Sequence, residues 1–212
     1  LCTKIDSHIM KLILMTTPYF FVEEHQILNA LFDEGLEILH LRKPDTEPVY
    51  SERLLTLISE SYRKRIVVHD HFYLKNEYGL KGIHLNHRNP DIPHDLTDAL
   101  SSAHHSAAVG QSRPSFTVSC SCHSFDEVRE RKAAMDYLFL SPIFDSISKR
   151  GYLSQFSIES LQNAAEEGLI DGKVFALGGV TQAKLPLLHE LGFGGAAMLG
   201  AAWQDLETQS SL

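Results

Sequence analysis

The chain alternates short apolar segments with longer amphipathic segments along almost its whole length. Eight apolar segments have the length and composition of buried β-strands, and they cover about Lys11–Met15, Leu36–Leu41, Ile66–His69, Gly82–Leu85, Phe116–Cys120, Tyr137–Leu140, Val174–Leu177 and Gly195–Leu199. Parallel strands need long crossover connections, and the segments between these strands are long enough to provide them. The alternation therefore predicts an α/β fold, and the count of eight favours a single (β/α)8 TIM barrel over a doubly wound open sheet.

The segments between the strands have the apolar spacing of helices. They cover about Glu23–Asp33, Pro48–Tyr62, Phe72–Glu77, Leu96–Ser102, Ser124–Ala134, Ile158–Glu167 and Gln182–Leu191. The 212 residues, of which 43% are hydrophobic, suffice for one barrel, since such barrels run to roughly 200–250 residues. No linker interrupts the pattern, so we expect one domain over residues 11–205, with residues 1–10 as an N-terminal extension or a non-native leader.

Charge and cysteine content narrow the classes of partner and compartment. The formal net charge of −8 argues against a nucleic acid or an anionic membrane as the partner, because both attract basic surfaces. No segment approaches the ~20 apolar residues of a membrane helix. Three cysteines, Cys2, Cys120 and Cys122, form no disulfide framework, so we expect a reducing, cytoplasmic location. The spacing of Cys120 and Cys122 is typical of buried small side chains rather than of a metal site.

Polar residues follow the ends of the predicted strands, and in a barrel these ends converge on one mouth, where active sites lie. The second strand contributes His40 and Arg42, the third His69, Asp70 and His71, and the fourth His84, Asn86 and His87. The fifth contributes Ser119, Ser121 and His123, and the sixth Ser141, Ser146, Ser148 and Lys149. The seventh strand ends in glycines, Gly178 and Gly179, and the eighth in Gly200. The histidines His69, His71, His84 and His87 raise the alternative of a zinc site.

Three of these loops have the chemistry of a phosphate site. Ser146, Ser148 and Lys149 supply two hydroxyls and an ammonium group directly after the sixth strand. Gly178–Gly179 and Gly200 let backbone N–H groups approach an anion closely at the ends of the seventh and eighth strands. TIM barrels frequently bind phosphate at this place, although each loop alone also fits an ordinary polar turn.

Five segments carry a resemblance to a known family: His40–Arg42, Val68–His71 with Gly82–Leu85, Ser119–His123, Asp136–Lys149 and Ala176–Val180. From about Lys11 to Trp203 the chain resembles the thiamin phosphate synthases and their sister group, the TenI-type thiazole tautomerases. The most specific segment is Ser-Pro-Ile-Phe-x-Ser-x-Ser-Lys, which is similar to Gly-Pro-Ile-Phe-x-Thr-x-Thr-Lys in the synthases. The resemblance implies a TIM barrel of thiamin biosynthesis that acts on a small-molecule thiazole phosphate.

The synthase branch implies a definite set of roles. Synthases condense a hydroxymethylpyrimidine diphosphate with a thiazole phosphate, use magnesium and release pyrophosphate. By resemblance, phosphate contacts fall to Ser146, Ser148, Lys149, Gly178, Gly179, Leu199 and Gly200, further substrate contacts to His40, Arg42 and His69, and a magnesium ligand to Asp70.

Three positions depart from the synthase pattern. Asn89 stands where a second magnesium aspartate is expected, Pro44 replaces a lysine and His40 replaces a glutamine. Asn89 removes a carboxylate ligand of magnesium and Pro44 removes a cation, and both groups help to stabilise a departing pyrophosphate in the synthases. We therefore expect a deficient magnesium site, with Arg42, Lys43 and Lys149 as the cations that could compensate.

The tautomerase branch is the leading expectation. There a Ser-x-His element supplies a histidine that shuttles a proton on a thiazole carboxylate phosphate without a metal, and Ser121-Cys-His123 matches it. The catalytic candidates are thus His123, Ser121, Lys149 and Arg42. A helix cap built by Ser124 and Glu127 is the structural alternative for this segment. The synthase, with magnesium, and a catalytically silent phosphate-binding homologue remain as alternatives, and family members commonly associate, which leaves a homo-oligomer open.

Overall fold

The computed structural model describes residues 10–97, 116–145 and 153–199. Within them, eight parallel strands form one closed barrel in sequence order, which confirms the predicted TIM barrel over the open sheet. The strands are β1 Lys11–Met15, β2 Ile38–Leu41, β3 Ile66–Val68, β4 Gly82–Leu85, β5 Thr117–Cys122, β6 Tyr137–Leu140, β7 Val174–Leu177 and β8 Gly195–Met198. β1 pairs with β8 from Lys11↔Gly195 to Leu14↔Met198, and this pairing closes the barrel.

Helices connect the strands as the sequence predicts, with differences at their ends. They are α1 Glu24–Asp33, α2 Pro48–Leu57, α3 Glu60–Arg63, α4 Leu74–Glu77, α5 Phe125–Arg131, α6 Ile158–Glu166 and α7 Leu185–Glu190, and a 3-10 turn, Gln182–Lys184, precedes α7. Residues 94–97 are also helical, and the rest of the predicted Leu96–Ser102 helix lies outside the described residues. None of the described helices is long and apolar enough to cross a membrane.

The predicted helix over Pro48–Tyr62 is in fact two helices. Ile58 and Ser59 are extended, with ψ of 136° and 134°, and Ile58 is buried. The Ser59 N–H, which the break removes from the helical pattern, donates to Asn29 Oδ1 at 3.0 Å. Apolar spacing continues across the break because both helices pack against the same core, so periodicity alone did not show it.

Alternation along each strand divides the core into two layers. On β6, Tyr137 and Phe139 point into the barrel, while Leu138 and Leu140 pack against the helices. The apolar residues of the interior are Ile13, Met15, Tyr137, Phe139, Phe175 and Ala197. Cys120 and Cys122 are buried free thiols in the outer layer, which confirms the prediction for them.

The glycine pair after β7 packs against the loop that follows β6. Gly178 and Gly179 have φ of 94° and 61°. A Cβ on Gly179 would lie 2.2 Å from Asp145 O, and one on Gly178 would lie 2.9 Å from Pro142 Cα. The glycine pair therefore lets the loops after β6 and β7 pack side by side, and this packing role is separate from any contact with a ligand.

We expect Gly179→Ala to lower the free energy of unfolding more than Gly79→Ala. Gly79 has nearly the same φ, 63°, but its added Cβ would meet nothing within 4 Å in the described part of the chain. Backbone strain alone should cost Gly79→Ala about 1 kcal/mol. The clash should add about 1–3 kcal/mol in Gly179→Ala. Urea unfolding of both variants measures the difference, and equal midpoints would contradict the close packing.

Candidate active site

A layer of polar side chains lies inside the barrel below its mouth. His40, on β2, is fully buried. Its Nδ1 is 2.8 Å from His69 Nε2, and its Nε2 is 2.7 Å from the Tyr137 hydroxyl. All of these contacts are with protein groups, so both ring nitrogens of His40 are already engaged. The substrate contact expected of His40 from the sequence stays a prediction.

The second half of this layer joins β4 to β5. His84 Nδ1 is 2.9 Å from Ser119 Oγ, and His84 Nε2 is 2.8 Å from Ser121 Oγ. The two serines alternate with the outward-facing Cys120 and Cys122, so both hydroxyls point inward. Ser121, a catalytic candidate from the sequence, is thus hydrogen-bonded to a buried histidine. Its catalytic role stays a prediction.

Burial keeps the histidines of this layer neutral. It lowers the pKa of His84 to about 3, with the positive charge of Arg42 as a further cause. Burial also lowers the pKa of His40 and of His69 well below the ordinary value, with His84 as the next cause for each. A neutral imidazole has one donor and one acceptor, which matches the two partners of His40 and of His84.

Ring nitrogens of His40, His69 and His84 lie within 4.8 Å of one another. This is not the histidine set that raised the zinc alternative, because His71 Nε2 instead contacts Thr46 O at 3.0 Å. A cation among the three rings would have to break the hydrogen bonds just described. The contacts therefore favour a hydrogen-bonded layer over a metal site at this place.

Arg42 lies at the mouth and is half-buried. Thr16 fixes its backbone, because Thr16 Oγ1 accepts from Arg42 N at 3.0 Å and donates to Arg42 O at 3.2 Å. Burial lowers the pKa of Arg42, the charge of Arg88 lowers it further, and Asp70 and Asp45 act in the opposite direction. The two guanidinium groups and Asp70 thus share one region of the mouth.

Lys43 is buried in an ion pair, which corrects its sequence-based role as a compensating cation. Its Nζ donates to Glu24 Oε1 at 2.5 Å and to Tyr19 O at 2.7 Å, and both side chains of the ion pair are 1% exposed. Lys43 therefore ties the end of β2 to α1.

Asp70 is held by two groups from the loop after β4. Arg88 Nη2 donates to its two carboxylate oxygens at 3.1 and 3.4 Å, and Asn89 Nδ2 donates to Oδ1 at 3.0 Å. Magnesium takes oxygen ligands and usually one or two carboxylates. In this arrangement a guanidinium and an amide N–H group occupy the carboxylate, so the residues present do not fit a magnesium ion at Asp70.

His123 follows β5 and is exposed at the rim. Its Nδ1 lies 3.0 Å from the Ser141 carbonyl oxygen, which can only accept, so Nδ1 carries a proton, and Nε2 has no hydrogen-bond partner among the described residues. The backbone next to it forms the expected helix cap: Ser124 Oγ accepts from Glu127 N, and the Glu127 carboxylate accepts from His123 N. The cap and an available Nε2 are compatible with each other.

The predicted phosphate loops are described only in part. Ser146, Ser148, Lys149 and Gly200 lie outside the described residues, while Leu199 is half-buried beyond the end of β8. The described neighbours of these positions are in contact, because Phe144 N donates to Gly178 O at 3.1 Å. The phosphate roles of this region stay predictions.

Sequence reasoning missed Arg88 as a partner of Asp70. Asn86 could have indicated this contact, because an asparagine just past a strand commonly forms a tight turn. Such a turn brings the side chains that follow it, here Arg88, back towards the strand ends.

Comparisons with known proteins agree on one family. The family model described as thiamine monophosphate synthase matches residues 12–202. A solved structure of thiamine phosphate pyrophosphorylase from Bacteroides thetaiotaomicron is 50% identical with a TM-score of 0.77, over 92% of this chain and 85% of that chain.

More distant relatives have similar names. A thiamine-phosphate synthase of Caldicellulosiruptor bescii is 26% identical over 76% of this chain and 68% of its own length. A putative thiamine-phosphate synthase of Geobacter sulfurreducens is 22% identical over 88% and 86%.

We expect the buried histidines to make the fold sensitive to acid. A group whose folded pKa lies below its unfolded value stabilises the fold above the unfolded pKa, near 6.5, and loses this contribution as the pH falls. For each histidine that stays neutral in the fold, the free energy of unfolding then falls by about 1.4 kcal/mol per pH unit at pH values well below 6.5. Urea unfolding at pH 7 and pH 5.5 should show the loss.

His84→Gln should flatten this dependence, since an amide can still bond the two serines without titrating. His94→Gln, at an exposed position, is the matched control and should leave the dependence unchanged. Equal pH dependence in wild type and His84→Gln would show that His84 is protonated inside the folded protein.

Proposed function

Since this chain belongs to the thiamine monophosphate synthase family, we propose that it is a thiamin phosphate synthase. It would join the ring nitrogen of a thiazole phosphate to the methylene carbon of a hydroxymethylpyrimidine diphosphate. The new C–N bond forms with the thiazole lone pair, and the C–O bond to the diphosphate breaks, so pyrophosphate leaves with that electron pair. This proposal takes the synthase alternative rather than the tautomerase expectation, because the relatives that match are named as synthases.

The observation that carries the proposal is the pair of guanidinium groups at the mouth. Arg88 bonds the half-buried Asp70 carboxylate, and Arg42 lies near enough to Arg88 and Asp70 for their charges to act on its pKa. The nearby Asp45 is exposed, so solvent screens its charge. Guanidinium groups bind phosphate oxygens through paired N–H donors. A positive region of this kind stabilises the charge that develops on a departing pyrophosphate.

We place the thiazole phosphate at the loops that follow β6, β7 and β8. Ser146, Ser148 and Lys149 would donate to its oxygens, with backbone N–H groups of Gly178, Gly179, Leu199 and Gly200. Support comes from the contact of the β6 and β7 loops at Phe144 and Gly178, which lie at the same end of the barrel as Arg42.

Thiazole tautomerase is a second candidate because of His123. Its Nε2 has no hydrogen-bond partner among the described residues, so this nitrogen is accessible to take up and release a proton, as a proton shuttle requires. In the synthase, a histidine at the rim can help to bind substrate but transfers no proton in the bond change written above. The two functions therefore differ in how strongly they depend on His123.

We expect purified protein to form thiamin phosphate from the pyrimidine diphosphate and thiazole phosphate. Chromatography with fluorescent detection measures the product. Arg42→Ala should lower kcat/KM about 10²-fold, because it removes a cation that acts on the leaving group while Thr16 still holds the backbone. Arg53→Ala, at an exposed position on α2, is the matched control and should match wild type.

His123→Gln separates the candidate functions. If the chain is a synthase, this variant should keep most of its thiamin phosphate formation. If it is a tautomerase, neither wild type nor the variant should form thiamin phosphate, and the variant should lose the thiazole aromatisation that wild type catalyses. Wild-type protein that binds thiazole phosphate but completes neither reaction would contradict both and identify a silent homologue.

A further inference from the structure

We propose that Arg88 and Asn89 take the place of a divalent cation at Asp70, so that this chain binds a diphosphate group without magnesium. The identity of the ligand as a diphosphate rests on the proposed function. The cation replacement itself rests on the contacts around Asp70, which do not depend on that function.

The loop after β4 forms a hydrogen-bonded turn that contains Arg88 and Asn89. Asn86 N donates to Asn89 O at 3.1 Å, and Asn89 N donates to Asn86 O at 3.0 Å. Within the turn, Asn86 Oδ1 accepts from Arg88 N at 3.0 Å, and Asn86 Nδ2 donates to His69 O at 3.1 Å. The turn is thus fixed to the end of β3, next to Asp70.

The side chain of Asn89 is oriented by its partners. Its amide lies 3.0 Å from His69 O and 3.0 Å from Asp70 Oδ1, and both of these atoms are acceptors. Only the NH₂ group can satisfy two acceptors, so the amide oxygen points away from Asp70. An aspartate at position 89 would instead set a carboxylate against the Asp70 carboxylate and the His69 carbonyl, an arrangement that a cation would have to stabilise.

Arg88 supplies the positive charge that this arrangement needs. Its Nη2 bonds both oxygens of Asp70, and the pair is only partly exposed, at 26% for Arg88 and 16% for Asp70. A magnesium ion at Asp70 would have to displace Arg88 and would then lie in a region that also contains Arg42. Repulsion between three positive charges in a half-buried site opposes that exchange.

The remaining donors of Arg88 are available for a ligand. Nη2 bonds Asp70, whereas Nε and Nη1 have no hydrogen-bond partner among the described residues. A guanidinium group has five N–H donors, so three can bond phosphate oxygens while Asp70 keeps the group in place. Asp70 therefore serves as a positioning residue for Arg88.

Direct binding measurements test the proposal with inorganic pyrophosphate as the probe. Calorimetric titration of wild-type protein with pyrophosphate in EDTA should show binding. Replacing EDTA by magnesium, at the same concentration of free pyrophosphate, should change the Kd for pyrophosphate less than about 3-fold. Arg88→Ala should weaken binding in EDTA about 10- to 100-fold, the loss typical of hydrogen bonds to a charged group. Arg129→Ala, on the exposed face of α5, is the matched control and should bind as wild type does.

Manganese binding gives a second readout that needs no turnover. Wild-type protein should bind no Mn²⁺ at Asp70 by electron paramagnetic resonance, and a double variant, Arg88→Gln with Asn89→Asp, should gain a site and a metal requirement for pyrophosphate binding. Tight Mn²⁺ binding by wild type that Asp70→Asn abolishes would overturn the proposal. Pyrophosphate that binds wild type only with magnesium, or under neither condition, would also overturn it.

The experiments distinguish a failure of the cation replacement from a failure of the proposed synthase function. Product that forms only with magnesium would reject the cation replacement and keep the synthase. Pyrophosphate binding in EDTA by a protein that makes no thiamin phosphate would keep the replacement and reject the synthase.

Discussion

Pairing of β1 with β8 closes the barrel, and the arrangement of the mouth follows from this closed sheet of parallel strands. Because all eight strands are parallel, closure brings every carboxyl end to one mouth. The pairing needs a close approach at Gly195, where a Cβ would lie 2.1 Å from the Phe175 ring and 2.6 Å from Lys11 O. Arg42, Asp70 and Arg88 follow the adjacent strands β2, β3 and β4, so the parallel pairing of these strands brings them to one part of the mouth.

Below the mouth, neutral histidines give way to charged groups at the rim. His40 and His84 bond inward-facing hydroxyl and imidazole groups, and burial keeps them uncharged. At the rim, Arg42, Arg88 and Asp70 are charged groups that solvent reaches in part. A phosphate ligand is thus excluded from the interior by desolvation and attracted to the rim by guanidinium groups.

Strand and helix periodicity predicted the barrel and its mouth, because burial on alternate or helical faces leaves a direct mark on the sequence. The site was predicted less completely. Lys43 was expected to supply charge at the mouth, but it is buried in an ion pair with Glu24, a partner that is distant in sequence. Arg88 was missed because its contact with Asp70 depends on the turn at Asn86, which requires backbone geometry.

Guanidinium groups, and not a metal ion, would hold a diphosphate at this mouth. A crystal structure of the protein soaked with pyrophosphate and Mn²⁺, with anomalous scattering recorded for manganese, tests this claim most directly. We expect pyrophosphate oxygens within hydrogen-bond distance of Arg42 and Arg88, with Arg88 still on Asp70 and no anomalous peak there. A manganese peak coordinated by Asp70, with Arg88 displaced, would contradict the claim.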